Sequence, residues 1–560
     1  MSENLNRRRF LKEGATAALG VAFLPPSVWC RPAFDLVIRG GTVVDGTGGA
    51  PFQADLGLVG DTITALGGLD PDQGSRVLDG SGLVISPGFI DIHSHSDGGI
   101  LDYPTADSRV RQGVTTEVTG NCGGSAAPRI PTGPDPEEAA GVQEGGDSPD
   151  WTDVASYFRT LEETRISVNH ALLLGQGTLR TMVAGSEDRP LAPDELSRVL
   201  SMVEEGMDQG AFGLSTGLEY VPGRFTPTSE IVGMTRIVAR RGGVYASHVR
   251  NEEATVLEAV DEAIRIGRVT GARVEISHLK AAGRPYWGKQ VAALDLIEGA
   301  RMAGVDVLAD AYPYTAYSTG LTVLFSAWAM DGGWDGLSRR LADPGLRVLI
   351  RDEVGTRVPL EPGGYDLIVI SRVRTDENQV LVGMNMAEIA ERWGMEPVDA
   401  ILRLLEEEDG SVGYIGHGMS PENVELVLSH PLVMVGSDGS SMAPVGEAAR
   451  TRPHPRSYGT FPRVLGHYCR ERNLFDLATA VKKMTGMPAR QMGLADRGRI
   501  ARGMKADLVL FDAAAVKDEA TFQDPHRFPT GIHHVLVNGR LVVENGKHTG
   551  ARPGSVLRRG

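Results

Sequence analysis

Eight short apolar runs, each followed by a helical pattern, occupy the chain between residues 88 and 438 and narrow its architecture to one type. They are Gly88–His93, Val114–Val118, Ser167–Leu174, Ala211–Ser215, Gly243–His248, Arg273–His278, Val305–Asp310 and Leu432–Asp438. Continuous apolar strands joined by helices suit a parallel sheet buried on both faces. Eight is the number that closes a (β/α)8 barrel. The expected fold class is therefore α/β, a TIM-like barrel spanning residues 87–495.

The flanks have a different texture. Asp35–Arg39, Thr42–Asp45, Ala54–Val59, Thr62–Leu66 and Arg76–Asp79 alternate apolar and polar residues between Gly and Asp turns, as half-buried antiparallel strands do. Ala506–Phe511, His534–Asn538 and Leu541–Glu544 repeat the pattern at the far end. The two ends, 34–86 and 496–560, are expected to pair as one small β-sandwich beside the barrel. Two stretches fit no barrel element. Residues 125–150 are rich in Pro, Gly, Glu and Asp and read as an excursion after strand two. Residues 311–374 follow strand seven, where an insertion would wall the substrate site.

Residues 1–33 read as a targeting segment. Asn6-Arg7-Arg8-Arg9-Phe10-Leu11-Lys12 precedes a mildly apolar run, Gly14–Leu24, and resembles a twin-arginine export signal. The expectation is export by that route to the periplasm or the extracellular space. The apolar run is shorter than the roughly 20 residues a bilayer needs, so no stable membrane span is expected. A formal net charge of -16 without a long basic cluster disfavours nucleic acid, whose binding needs Lys and Arg against phosphate. The expected partner is a small molecule, and the oligomeric state stays open. The three cysteines lie far apart and imply no disulfide framework.

Active sites of barrels form where strands end at the C-terminal face. His93 and His95 close strand one, Cys122 follows strand two, His248 and His278 close strands five and six, and Asp438 closes strand eight. A lone strand-end His is more often structural than a ligand, and a lone Cys is usually a small buried apolar residue. Their shared end of the barrel changes those odds. Imidazole, thiolate and carboxylate together suit Zn²⁺, whereas Mg²⁺ or Ca²⁺ would call mainly for oxygen. Arg250, two residues beyond His248, would either orient a carboxylate in the site or pair with Glu252 or Glu253.

Pro87-Gly88-Phe89-Ile90-Asp91-Ile92-His93-Ser94-His95, with Gly40-Gly41-Thr42-Val43-Val44-Asp45-Gly46 before it and Gly503-Met504-Lys505-Ala506-Asp507-Leu508 near the end, resembles the amidohydrolase superfamily. Gly120-Asn121-Cys122-Gly123, Ser277-His278-Leu279-Lys280, Asp310-Ala311-Tyr312-Pro313-Tyr314, Gly436-Ser437-Asp438-Gly439 and His454-Pro455-Arg456 resemble its N-acyl-D-amino-acid deacylases, the D-aminoacylases. The resemblance implies hydrolysis of the amide of an N-acyl-D-amino acid. It implies one tight zinc on Cys122, His248 and His278, and a second, weaker position at His93, His95 and Asp438. It also implies that Lys280 and Tyr312, with Ser318, hold the substrate carboxylate.

The expected chemistry agrees with zinc's ability to lower the pKa of a bound water to about 7. Asp438 is the expected general base and acid, taking the proton of the attacking water and returning it to the departing amine. Relatives that open cyclic amides usually bridge two metals with a carboxylated lysine on strand four. Here no lysine occurs between Lys12 and Lys280, so Cys122 is the expected substitute. Glu219, just beyond strand four, is a weaker candidate for that role and reads more readily as a solvated loop residue. The competing readings are a dipeptidase or cyclic-amide hydrolase, and a barrel without catalysis that serves as a scaffold.

Overall fold

The computed structural model describes residues 33–129 and 151–560. The export segment and most of the excursion at 125–150 lie outside the described residues. Eight parallel strands form one sheet in sequence order: β1 (Phe89–Asp91), β2 (Val114–Thr119), β3 (Asn169–Gly175), β4 (Gly213–Gly217), β5 (Val244–His248), β6 (Arg273–Ile276), β7 (Val307–Ala311) and β8 (Val433–Val435). They are the eight expected runs. Helices on the outside cover them with apolar faces at helical spacing. In Val256–Thr270, for example, Val256, Ala259, Val260, Ala263, Ile264 and Gly267 are buried, and Gly271 ends the helix in the left-handed region at φ 75°.

The barrel closes between its first and last strands by contacts just beyond the ladder. Asp438 N–H donates to the His93 carbonyl and His95 N–H to the Gly439 carbonyl, each at 2.8 Å. Below this, the Asp91 carboxylate accepts Ser437 N–H at 2.8 Å and Ser437 Oγ–H at 2.5 Å. Asp91 has no exposure, and burial pushes its carboxyl up to about 6 against the pull of Arg109. Arg109 reaches Asp91 at 3.4 Å and Glu117 at 2.9 Å. This seam therefore rests on a buried charge network.

The chain ends pair with each other, in a single nine-stranded sheet where a sandwich was expected. Leu508–Phe511 pairs antiparallel with Val84–Pro87, which lies beside Leu36–Val43. Alternation assigns the two faces. Leu508, Leu510 and Leu536 join Leu36, Leu56 and Ile85 in the sheet's own core, while Val509, Phe511, Val535 and Val537 pack into the barrel's core. Asp35–Arg39 and Thr42–Asp45, expected as two strands, are one strand with a bulge between Ile38 and Gly41. Gly40 there has φ 74°.

The insertion after β7 is larger than the expected 311–374. Tyr317–Gly320, Ile368–Arg372 and Gly413–Gly416 form a separate three-stranded antiparallel sheet. Helices Gly333–Ala342, Pro344–Arg357, Met386–Trp393 and Pro397–Glu407 pack on it. Leu321, Phe325, Leu337, Val354, Ile370 and Leu402 belong to a core distinct from that of the barrel. The insertion thus continues to Gly416. Among the described residues, no helix is long and apolar enough to cross a membrane.

Candidate metal centre and active site

The C-terminal rim of the barrel gathers all six expected ligands. Cys122 Sγ lies 3.3 Å from His278 Nε2 and 3.4 Å from His93 Nε2, and His248 Nδ1 is 3.0 Å from His278 Nε2. Asp438 Oδ1 lies 2.9 Å from His95 Nε2 and 3.5 Å from His93 Nε2. Donors at zinc distances of about 2.0–2.3 Å in a tetrahedron stand about 3.3–3.8 Å apart. The observed spacings sit at and just below that range, so this set of N, S and O donors fits zinc.

What stands behind the imidazoles strengthens the fit. His93 Nδ1 faces Asp310 Oδ2 at 3.3 Å, His248 Nε2 faces Glu219 Oε2 at 3.1 Å, and His278 Nδ1 faces Glu252 Oε1 at 2.9 Å. All three carboxylates are buried. Each is placed to accept the far N–H of its imidazole and so to orient the ring with its other nitrogen toward the cluster around Cys122. Backbone geometry marks the same place. Cys122, His278 and Asp438 have φ of 51°, 36° and 53°, a region that costs a non-glycine residue of order 1–3 kcal/mol and persists where function selects it. Gly217, ending β4, makes room: a Cβ there would fall 2.0 Å from the Cys122 carbonyl oxygen.

Electrostatics tie the donors together. Burial disfavours charge on Cys122, yet His93 and His278 hold its thiol well below the usual range. Burial likewise opposes charge on His95 and His248, but Asp438 and Cys122 raise His95 to about 9, and Glu252 with Cys122 raises His248 to about 10. The metal-free cluster therefore holds protons where a cation belongs. Asp438 keeps its charge despite burial, chiefly because Arg456 lies 2.7 Å from its Oδ2.

A cavity of about 280 Å³ opens over these groups, lined by His95, Cys122, Ser318, Arg372, Asp438 and Arg456 among others. Ser318 is thus on its wall, brought there by the insertion. Lys280 lies behind His278, buried, with Nζ 2.6 Å from the Glu252 carboxylate, and faces a smaller adjoining cavity of about 30 Å³. Tyr312 is buried beneath Arg456, whose guanidinium carbon is 4.9 Å from its ring centre. Arg250 is not brought to the site. Its guanidinium forks onto Glu262 at 2.9 Å and donates to the Arg224 and Thr226 carbonyls, because Glu262, on the following helix, is the carboxylate within reach.

Glu219, read as a solvated loop residue, is instead buried against His248. Glu252, Asp310 and Arg456 were not singled out from sequence. Asp310 and Arg456 carried a signal, their places in the Asp310-Ala311-Tyr312-Pro313-Tyr314 and His454-Pro455-Arg456 motifs. His454 itself is structural, with Nε2 donating to the Ala316 carbonyl at 2.9 Å.

A parallel barrel with this donor set at its strand ends is the frame of an amidohydrolase, and residues 367–543 match the Amidohydrolase family. Two proteins of Alcaligenes xylosoxydans xylosoxydans, an N-acyl-D-glutamate deacylase and a D-aminoacylase, are each 39% identical to this chain over 94% of its length, covering 96% and 98% of their own. The crystal structure of the N-acyl-D-glutamate deacylase from Bordetella bronchiseptica, complexed with zinc and a phosphonate inhibitor that mimics the reaction's tetrahedral intermediate, is 35% identical. It superposes with a TM-score of 0.79, covering 94% of this chain and 99% of that one. The chain belongs to the N-acyl-D-amino-acid deacylase family of amidohydrolases.

Proposed function

We propose that the protein is a zinc-dependent hydrolase of the amide bond of N-acyl-D-amino acids, releasing a carboxylate and a D-amino acid. The observation that carries this reading is the convergence of three carboxylate-braced imidazoles around one thiol, His93 and His278 within 3.4 Å of it and His248 3.0 Å from His278 Nε2, beside an ionised Asp438. Cys122, His248 and His278 would hold a tight zinc, and His93, His95 and Asp438 a second, weaker one. The metal would supply Lewis acidity toward the scissile carbonyl and acidify the attacking water.

The chain's own residues do the rest. Asp438 Oδ1 and Oδ2 are anchored by His95 and Arg456, so the carboxylate is positioned to accept the water's proton. The same carboxylic acid then protonates the amine nitrogen as the C–N bond breaks. Arg456 and Ser318 face the cavity, and with Lys280 and Tyr312 behind them form the side that would receive the α-carboxylate.

The cyclic-amide reading is disfavoured by β4, Gly-Leu-Ser-Thr-Gly, which offers no lysine to bridge two metals. Turnover of N-acetyl-D-amino acids, N-acetyl-L-amino acids, dipeptides and hydantoins by zinc-loaded protein tests the proposal. The D series is expected to turn over; hydrolysis confined to hydantoins or dipeptides would overturn it. Export by the twin-arginine route is also proposed from Arg7-Arg8. An Arg7→Lys, Arg8→Lys double variant is expected to remain in the cytoplasmic fraction, and unchanged export would refute that route.

A further inference from the structure

The insertion does more than wall the cavity. Arg357, the last residue of its helix Pro344–Arg357, projects onto the barrel rim with its side chain 23% exposed. Its guanidinium has three partners. Nε lies 2.6 Å from Glu361 Oε2, Nη1 donates to the Val323 carbonyl at 2.8 Å, and Nη2 faces Glu219 Oε1 at 3.6 Å. The first two belong to the insertion and the third to the loop after β4. The two oxygens of Glu219 are thereby divided: Oε1 faces the insertion, and Oε2 accepts the His248 N–H at 3.1 Å.

We propose that Arg357 is a positioning residue for His248, acting through Glu219, so that seating the insertion on the barrel and orienting a zinc ligand are one event. The proposal rests on the reading of His248 as a ligand. A glutamate on a loop has three side-chain torsions, and its bond to His248 constrains only one oxygen. The planar fork of Arg357, itself fixed at two points on the insertion, places its charge 3.6 Å from the second. That ion pair, with the bond to His248, biases the carboxylate plane and with it the direction of the imidazole. Arg224 is a second cation near Glu219 and contributes to its field, but its Nη1 donates to the Phe325 carbonyl at 2.9 Å. Arg250 is committed to Glu262. Arg357 is thus the guanidinium within 4 Å of Glu219 among the described residues.

The test measures zinc affinity on metal-free full-length protein by competition with a chromophoric chelator, and the absorption spectrum of the cobalt-loaded protein. Loss of a carboxylate behind a metal-bound histidine weakens affinity about 10–100-fold, so Glu219→Gln is expected in that range and Arg357→Met at about tenfold. The double variant is expected to match Glu219→Gln alone, since the arginine acts only through that carboxylate. The cobalt spectrum should shift in both single variants. Should Arg357→Met fail to fold, Arg357→Lys serves, because an ammonium cannot satisfy all three partners and is expected to weaken zinc severalfold. Wild-type zinc affinity and cobalt spectrum in the arginine variants, or additive losses in the double variant, would overturn the proposal. Cys122→Ala run alongside separates the two readings: if it keeps tight zinc, the ligand assignment fails; if it loses zinc while the arginine variants do not, only the role of Arg357 fails.

Discussion

The two halves of the donor cluster are built differently. Cys122, His248 and His278 come from the ends of β2, β5 and β6, and both histidines are backed by buried carboxylates, Glu219 and Glu252. Lys280 steadies Glu252, whose carboxyl it pulls down to about 2 although burial opposes that charge. His93, His95 and Asp438 sit instead on the seam where the barrel closes. Asp310 backs His93, but among the described residues no carboxylate stands behind His95, whose side chain is 18% exposed. Asp438 divides its oxygens between His95 and Arg456. A ligand fixed on its far side presents its lone pair without reorganisation, whereas one that must share loses part of its grip. On the proposed reading, the first half would hold the tight ion and the second the adjustable, catalytic chemistry.

The sharpest way to break this division is Cys122→Ala, expected to weaken tight zinc at least a thousandfold, as loss of a direct ligand exceeds the 10–100-fold seen for the groups behind ligands. Zinc retained through dialysis against chelator would show that the thiol is not a ligand. Asp438→Asn is expected to keep one zinc per chain by elemental analysis while kcat falls about a thousandfold, within the range for removal of a general base. Comparable activity would take that role away.

Proton competition gives a third measure. His95 and His248 bind protons with pKa raised to about 9 and about 10 in the metal-free cluster, so zinc uptake must expel them below those values. Affinity then rises with pH, by about tenfold per unit for each proton expelled. Chelator titrations between pH 6 and 8 should show the rise, and a flat profile would mean these imidazoles are not displaced. Glu252→Gln is expected to weaken tight zinc about 10–100-fold. His95→Asn should change that affinity less than about threefold while abolishing uptake of a second ion, because His95 belongs to the other half and, among the described residues, has no carboxylate behind it. Equal losses from the last two variants would erase the distinction.

Much of this frame was legible because strands and ligands coincide. Four of the apolar runs end on an expected ligand, His93, His248, His278 and Asp438, and one register rule puts them at the same rim. The braces were not legible. Glu219 and Glu252 lie in loops, where an acidic residue usually faces solvent, and only tertiary packing shows them buried. Arg456 comes from the start of a helix well beyond Asp438, so no strand-end rule reaches it. Arg250 misled for the opposite reason: proximity to His248 in sequence suggested the site, but the nearest available carboxylate was Glu262. The insertion was cut short because helices Met386–Trp393 and Pro397–Glu407 carry the same apolar spacing as those of the barrel. Periodicity tells that a face is buried, not which core receives it.

The seam also has a kinetic side. The Asp91–Ser437 contact joins residues 346 positions apart, so the second half of the site depends on a very long loop closure, and long-range closures are slow to form. Cys122, His248 and His278 can approach one another while that closure is pending. On the proposed reading, acquisition of full catalytic competence during refolding is expected to report the joining of β1 to β8, later than any signal from a first metal.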